Sequence, residues 1–347
     1  MNEVKNIGIV GAGPASLTFA INYKLIVPDS DITIYEKEVF PRHKVGESLL
    51  LPVPEELKQL GLLEKAKELF HIKKGASYKW GKNPEQWWTL LFNNNKYSFH
   101  VRRSLFDMLL AKKAIELGVK IKFNTEVKIK KDNKEKKVKY IENKKTGKKT
   151  EHEFYIDGSG LSKVIIKKFN ELVTIEKDKR IAFYGYLKNI KELDSGVGRN
   201  GISIISFNKG WIWHIPLDDY ITSIGIVTSI SNATLFNTKE KFLSALKNNK
   251  HLNKFITNYE LYNEWGTEKL KQPYSIKNWS YTNGITYGKN WVAIGDAAYF
   301  HDPILSQGVT LAMSSGHDCA ISLKENKIKE FVNSYYKQYI SFKKMTD

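Results

Sequence analysis

Residues 6–16 read NIGIVGAGPAS, and this stretch decides the fold. Ile7 to Val10 is a short β-branched run of the kind that makes a buried parallel strand. Gly11 permits the tight turn that follows. Gly13 lets the backbone approach a pyrophosphate, which then rests, past Pro14 and Ala15, on the positive N-terminus of the helix read over Leu17 to Leu25. Ser16 stands where a third glycine is usual, and it is small enough for close helix–strand packing. Ile32 to Tyr35 gives a second strand that ends in Glu36, an acidic residue placed to meet a ribose hydroxyl. Strand, glycine turn, helix, strand and acid in that order predict a dinucleotide site. The alternative is a glycine-rich turn without a ligand.

A second glycine pattern, Gly196-Val197-Gly198-Arg199-Asn200-Gly201, runs into the strand-like Ile202 to Ile205 with no helix behind it. Without a helix N-terminus it is a loop, so no nicotinamide domain is expected. No His, Cys, Asp or Glu cluster has metal-ligand spacing, and no nucleophile elbow occurs.

Working outward, the chain resembles the FAD monooxygenases of the aromatic-hydroxylase type. Asp157-Gly158-Ser159-Gly160 resembles their second glycine motif. Arg103-Ser104-Leu105-Phe106-Asp107 resembles their R-x-x-F-D helix, whose arginine reaches the flavin. Gly295-Asp296-Ala297-Ala298 resembles the motif whose aspartate holds the ribityl chain.

Within that group the chain is most similar to flavin-dependent halogenases. Pro41 to Ser48, PRHKVGES, resembles their P-R-x-K-V-G-E-S segment, and Gly210 to Pro216, GWIWHIP, fits their G-W-x-W-x-I-P motif. The resemblance implies FAD, used as FADH2 from a separate flavin reductase, with Lys37, Arg42, Glu47 and Ser48 also at the cofactor. It implies that reduced flavin and oxygen turn a halide into hypohalous acid. Ser306-Gln307-Gly308 is the place implied for the halide, where backbone N–H groups would hold it. Lys73 is implied as the lysine that directs the acid to substrate, with Lys74 the alternative if the register slips by one. Trp211 and Trp213, at strand spacing, are expected to wall off the flavin side. As plain core aromatics they would need no such role.

Tryptophan halogenases carry a glutamate where this chain has Leu305. Asp302-Pro303 to Ser306 and Gly308 is closer to the branch acting on carrier-tethered phenols and pyrroles, although Gln307 replaces the usual Thr or Ser. Only 39 residues follow Gly308, and an uncovered site would admit a bulky ring on a carrier protein or peptide. Two alternatives stay open: a halide-independent ring hydroxylase, and a flavin-binding reductase without oxygen chemistry.

The fold class expected is α/β, a Rossmann-like FAD domain interleaved with a β-sheet substrate domain. Residues 1–75, 100–180 and 285–347 are assigned to the first, and 76–99 and 181–284 to the second. Val309 to Leu323 is read as the closing helix of the FAD domain. Residues 128–149 hold eleven lysines and read as a solvated hairpin packed through Val127, Ile129, Val138 and Tyr140. His214 and His301 are expected to be structural.

The net charge is +18, yet only five of the 55 basic residues are arginine. Readers of base edges favour arginine, so nucleic acid is not an expected partner. The positive surface would suit an acidic carrier protein or leader peptide; the alternative is that the lysine excess reflects solubility and the codon bias of an AT-rich genome. One cysteine, Cys319, permits no internal disulfide, and no signal peptide or membrane span is legible. A cytoplasmic enzyme is expected.

Overall fold

A computed structural model describes residues 3–80, 85–132, 134–169, 179–262, 272–277, 281–300 and 302–346. The chain forms two compact units. The first comprises Met1–Gly46, Arg103–Glu176 and Ser280–Asp347, the second Glu47–Arg102 and Lys177–Trp279. Residues 47–75 belong to the second unit. Their backbone explains why. Leu49 N–H donates to Phe99 O, Val101 N–H donates to Glu47 O, and strand His71–Lys73 pairs with Ser98–His100.

In the first unit, among the described residues, the main sheet runs Tyr287–Gly288, Trp291–Ala293, Phe154–Asp157, Asn6–Val10, Asp31–Tyr35, Lys120–Lys122. Its pairings are parallel except that of the edge strand Tyr287–Gly288. Asn6–Val10 is central, and Ile7 and Ile9 are fully buried, which accounts for its unbroken apolar run. Helix Pro14–Ile26 follows directly and lies against helix Gly308–Lys324 at a crossing built from small residues. A Cβ on Gly316 would stand 2.3 Å from Ala15 O, so only glycine permits that approach. Cys319 is buried in the same helix, as expected of a packing residue.

The unit closes with helix Ile328–Thr346, beyond the last helix read from sequence. Phe331, Tyr335 and Tyr339 recur every four residues on its buried side, and Tyr339 stacks on Tyr299 at 5.1 Å. The lysine-rich hairpin forms from Val127–Asp132 and Lys137–Asn143. Its packed face differs by one residue: a register shift at Lys130/Lys131 buries Ile141 in place of Tyr140.

The second unit is built on a sheet ordered Glu260–Leu261, Arg180–Lys188, Ile221–Ser229, Gly210–Pro216, Gly201–Phe207, Gly75–Lys79, Trp88–Leu91, with Tyr274–Lys277 also paired to Arg180–Lys188. One face, with Phe183, Ile205, Ile212, Ile224 and Ile226, packs on helix Lys239–Lys247 through Phe242 and Leu246. Strand alternation sends Tyr184, Tyr186, Trp211 and Trp213 to the other face. The second glycine pattern ends in a short turn, Gly198–Asn200, and passes into strand Gly201–Phe207 with no helix, as read. Among the described residues no helix is long and apolar enough to cross a membrane.

Candidate functional site

The cradle of the first unit is assembled where its three glycine motifs meet. Gly11 has φ +89°, and a Cβ there would strike Gly158 O at 2.7 Å. Gly13 caps helix Pro14–Ile26 in an extended conformation without a side-chain cap, and a Cβ on it would meet nothing within 4 Å among the described residues. That open space, over a helix N-terminus with Pro14 in its first turn, suits a pyrophosphate. Ser16 has the close role expected of it: a Cβ on Gly158 would lie 1.9 Å from its Oγ. Gly295 packs on Ala15: a Cβ added to it would lie 2.9 Å from that of Ala15.

Charged groups line this cradle. The Glu36 carboxylate accepts from Ala12 N–H at 2.8 Å and Glu38 N–H at 2.9 Å, which fixes it at the strand end beside the glycine turn. Arg42 donates to Ala12 O at 3.1 Å and pairs with Asp107 at 3.1 Å. Arg103 grips the same Asp107 through Nε at 2.9 Å and Nη2 at 3.2 Å, and reaches Val45 O at 2.7 Å. Both arginines expected at the cofactor, Arg103 buried and Arg42 partly buried, thus share one aspartate. Lys37 is exposed. The Asp296 carboxyl is pushed up to about 7 by desolvation, against the pull of Arg103. The residues present fit a dinucleotide carrying a flavin.

At the start of helix Gly308–Lys324 the expected halide donors separate. Ser306 is left-handed at φ +59°, and its N–H is taken by Pro303 O at 2.9 Å, so it has no backbone donor to offer an anion. Gln307 is buried; its Nε2 donates to Asp302 O at 2.7 Å, and its Oε1 has no partner among the described residues. Gly308 opens the helix, and among the described residues only Phe300, at 3.9 Å, would be near a Cβ placed on it. His301 lies outside the described residues.

The second unit carries the other candidates. The two lysines left open by sequence differ sharply: Lys74 is exposed, whereas Lys73 is 1% exposed. Lys73 Nζ donates to Leu49 O at 3.0 Å and lies 5.8 Å from the Phe92 ring centroid. Burial alone drives its pKa down to about 7. Trp211 and Trp213 share a face, with centroids 6.0 Å apart; Trp213 Nε1 donates to Ser223 Oγ at 3.1 Å. Gly225 opposes Trp213, and a Cβ there would enter the indole at 2.3 Å.

Glu47 and Ser48, expected at the cofactor, belong to this unit because the chain leaves the first one at Gly46. Glu47 accepts from Tyr186 OH at 2.6 Å, and Ser48 bridges to His100. His100 was missed by sequence reading. It is fully buried, and desolvation, reinforced by the charges of Lys73 and His71, holds it well below the usual histidine range. His214 is buried and lowered to about 3 by desolvation, in keeping with a structural role.

The tryptophan halogenase family profile matches residues 6–95 and 88–343. A tryptophan 2-halogenase of Chondromyces crocatus is 30% identical over 332 residues, 91% of this chain and 60% of that protein. A 1H-pyrrole-2-carbonyl-[peptidyl-carrier protein] chlorinase of Pseudomonas fluorescens is 28% identical over 96% of this chain and 80% of its own length. Among solved structures, the myxobacterial chondrochloren halogenase superposes with a TM-score of 0.88 at 26% identity, over 99% of this chain and 82% of that one. The chain therefore spans under two thirds of the first of these relatives and more of the others. With a dinucleotide cradle, a buried lysine of lowered pKa and these matches together, the chain belongs to the tryptophan halogenase family of flavin-dependent enzymes.

Proposed function

We propose that this chain is an FAD-dependent halogenase acting on an electron-rich ring held on a large or tethered substrate. The state of Lys73 is the observation that carries this reading: fully buried, with a pKa of about 7, it presents a substantial share of free amine at neutral pH. FAD, bound as FADH2 delivered by a separate reductase, supplies the electrons for oxygen that make hypohalous acid from a halide. Gly11, Gly13 and Ser16 shape the pyrophosphate seat, Glu36 meets the adenosine ribose, and Arg42, Arg103 and Asp296 surround the remainder. Gln307 and Gly308 supply the halide donors at the helix N-terminus, where the helix dipole favours an anion.

The Lys73 lone pair attacks the halogen of the acid. An N–halogen bond forms, the O–halogen bond breaks, and the departing hydroxide takes an ammonium proton to become water. The haloamine then passes its halogen to a ring carbon, and the displaced ring proton restores the N–H. Leu305 leaves no carboxylate at the position used by tryptophan halogenases, which favours phenols and pyrroles, rings that need less activation. The pyrrole substrate named for one relative is carrier-bound, and a charge of +18 suits an acidic carrier.

The test is halogenation of monochlorodimedone by protein, FADH2 and oxygen, with catalase present, across a bromide and chloride series. Saturable, halide-dependent loss of the dye is expected, and Gln307→Leu should raise the halide needed for half-maximal rate. Flavin oxidation without any dye halogenation, whatever the halide, would overturn the reading and favour a hydroxylase.

A further inference from the structure

The strand pair that buries Lys73 buries a second nitrogen, on His100, to which the proposed chemistry gives no role. In the ribbon formed by His71–Lys73 and Ser98–His100, Lys73 pairs with Ser98 and His71 with His100. Side chains 71, 73, 98 and 100 therefore share one face, with Lys73 and His100 on its diagonal, within reach of long side chains. His100 is fully buried. Its Nδ1 lies 2.7 Å from Pro216 O. A carbonyl only accepts, so Nδ1 carries the proton and Nε2 presents a lone pair. That Nε2 is buried and has no hydrogen-bond partner among the described residues. The ring is held from both sides: Pro216 is the last residue of the GWIWHIP strand, and His71 stacks on His100 at 6.2 Å while its own Nε2 is 2.9 Å from Arg199 O.

A fixed acceptor beside an amine suits a small molecule with a hydroxyl at one end and an electrophile at the other. We propose that His100 is a positioning residue that binds the hydroxyl of hypohalous acid and turns its halogen toward Lys73; this rests on the halogenase reading. The acid's O–H donates to Nε2. Leu49 O holds one N–H of Lys73, which orients the amine. As the N–halogen bond forms and the O–halogen bond breaks, the hydroxide takes one proton from the halogenated ammonium. The resulting water still donates to Nε2, and His100 neither gains nor loses a proton. Capture at Lys73 thereby outcompetes escape of the acid.

The experiment is a single turnover of FADH2, oxygen and chloride without a ring substrate, with catalase present, followed by rapid gel filtration. Oxidising equivalents are titrated with thionitrobenzoate in the protein fraction and in the filtrate, with Lys73→Ala as the blank. Wild type should retain close to one equivalent on protein. His100→Gln keeps an acceptor at the Nε2 position and should retain at least half. His100→Asn keeps a donor to Pro216 O but loses that acceptor, and should retain a tenth or less, with the balance in the filtrate. A merely structural histidine predicts the reverse order, because Asn preserves the one bond seen; that order, or equal retention by all three proteins, would overturn the role of His100. Wild type with no equivalents in either fraction would overturn the halogenase reading, and this inference with it.

Discussion

Lys73 is a costly residue to bury, and its cost has a pH signature. In the unfolded chain its amine keeps a proton up to about 10.5, whereas the folded protein releases it near 7. Between those values the unfolded state binds more protons, so stability rises with pH across that window. Lys73→Met is expected to be more stable than wild type at pH 7, by about 1 kcal/mol, and to lose that slope in urea titrations run from pH 7 to 10. The same variant should bind FAD normally yet lose ring halogenation by two orders of magnitude or more, a drop of about 3 kcal/mol in transition-state stabilisation. Since the amine must be neutral, halogenation by wild type should climb as pH rises toward 7 and level off above it, when hypohalous acid output is held constant. Lys73→Arg should not rescue it, because a guanidinium does not deprotonate.

At the scale of elements, small residues decide where the helices and aromatics lie. Gly316 lets helix Gly308–Lys324 touch helix Pro14–Ile26, and a methyl group would meet backbone atoms at 2.3 and 2.9 Å. Gly316→Ala is expected to cost about 2 kcal/mol by overpacking and to weaken FAD binding as well, since both helices begin at the cradle; urea unfolding and flavin fluorescence titration read the two effects. Gly225→Ala addresses the Trp213 ring alone. It should displace the indole from Ser223 and shift tryptophan emission, while FAD affinity stays within about twofold. The hairpin carries the same lesson in reverse. Simple alternation predicted Tyr140 on its packed face, and one bulge gave that place to Ile141.

At the scale of the molecule, two compact units share one chain that crosses between them. A ligand that binds only the folded first unit stabilises it by mass action. FAD at about a hundred times its Kd should therefore add about 2.7 kcal/mol to unfolding of that unit; a calorimetric scan in which FAD leaves every transition unmoved would contradict the cradle. The charge of +18 is also a property of the whole molecule. Association with an acidic carrier protein should slow tenfold or more between about 50 and 300 mM salt, because exposed charges are screened beyond a Debye length of about 8–10 Å; stopped-flow binding measures it.

The sequence by itself determined the local devices. The strand–glycine–helix unit, the family motifs, the strands of the second sheet and the fully apolar central strand are all written in residues close together, where backbone sterics and side-chain periodicity act directly. Tertiary structure decided what depends on distant partners. Lys73 and Lys74 are neighbours in sequence, and only the pairing of His71–Lys73 with Ser98–His100 buries one and exposes the other. His100 was illegible for the same reason: its meaning comes from a strand some 25 residues away and from Pro216 O, more than a hundred residues on. Glu47 lies one residue past a unit boundary and accepts from Tyr186 OH, a partner far away in sequence. The Ser306 N–H is taken by Pro303 O, a turn bond that no motif in the sequence announced. Burial and hydrogen-bond partnership are set by long-range register, and no local pattern encodes them.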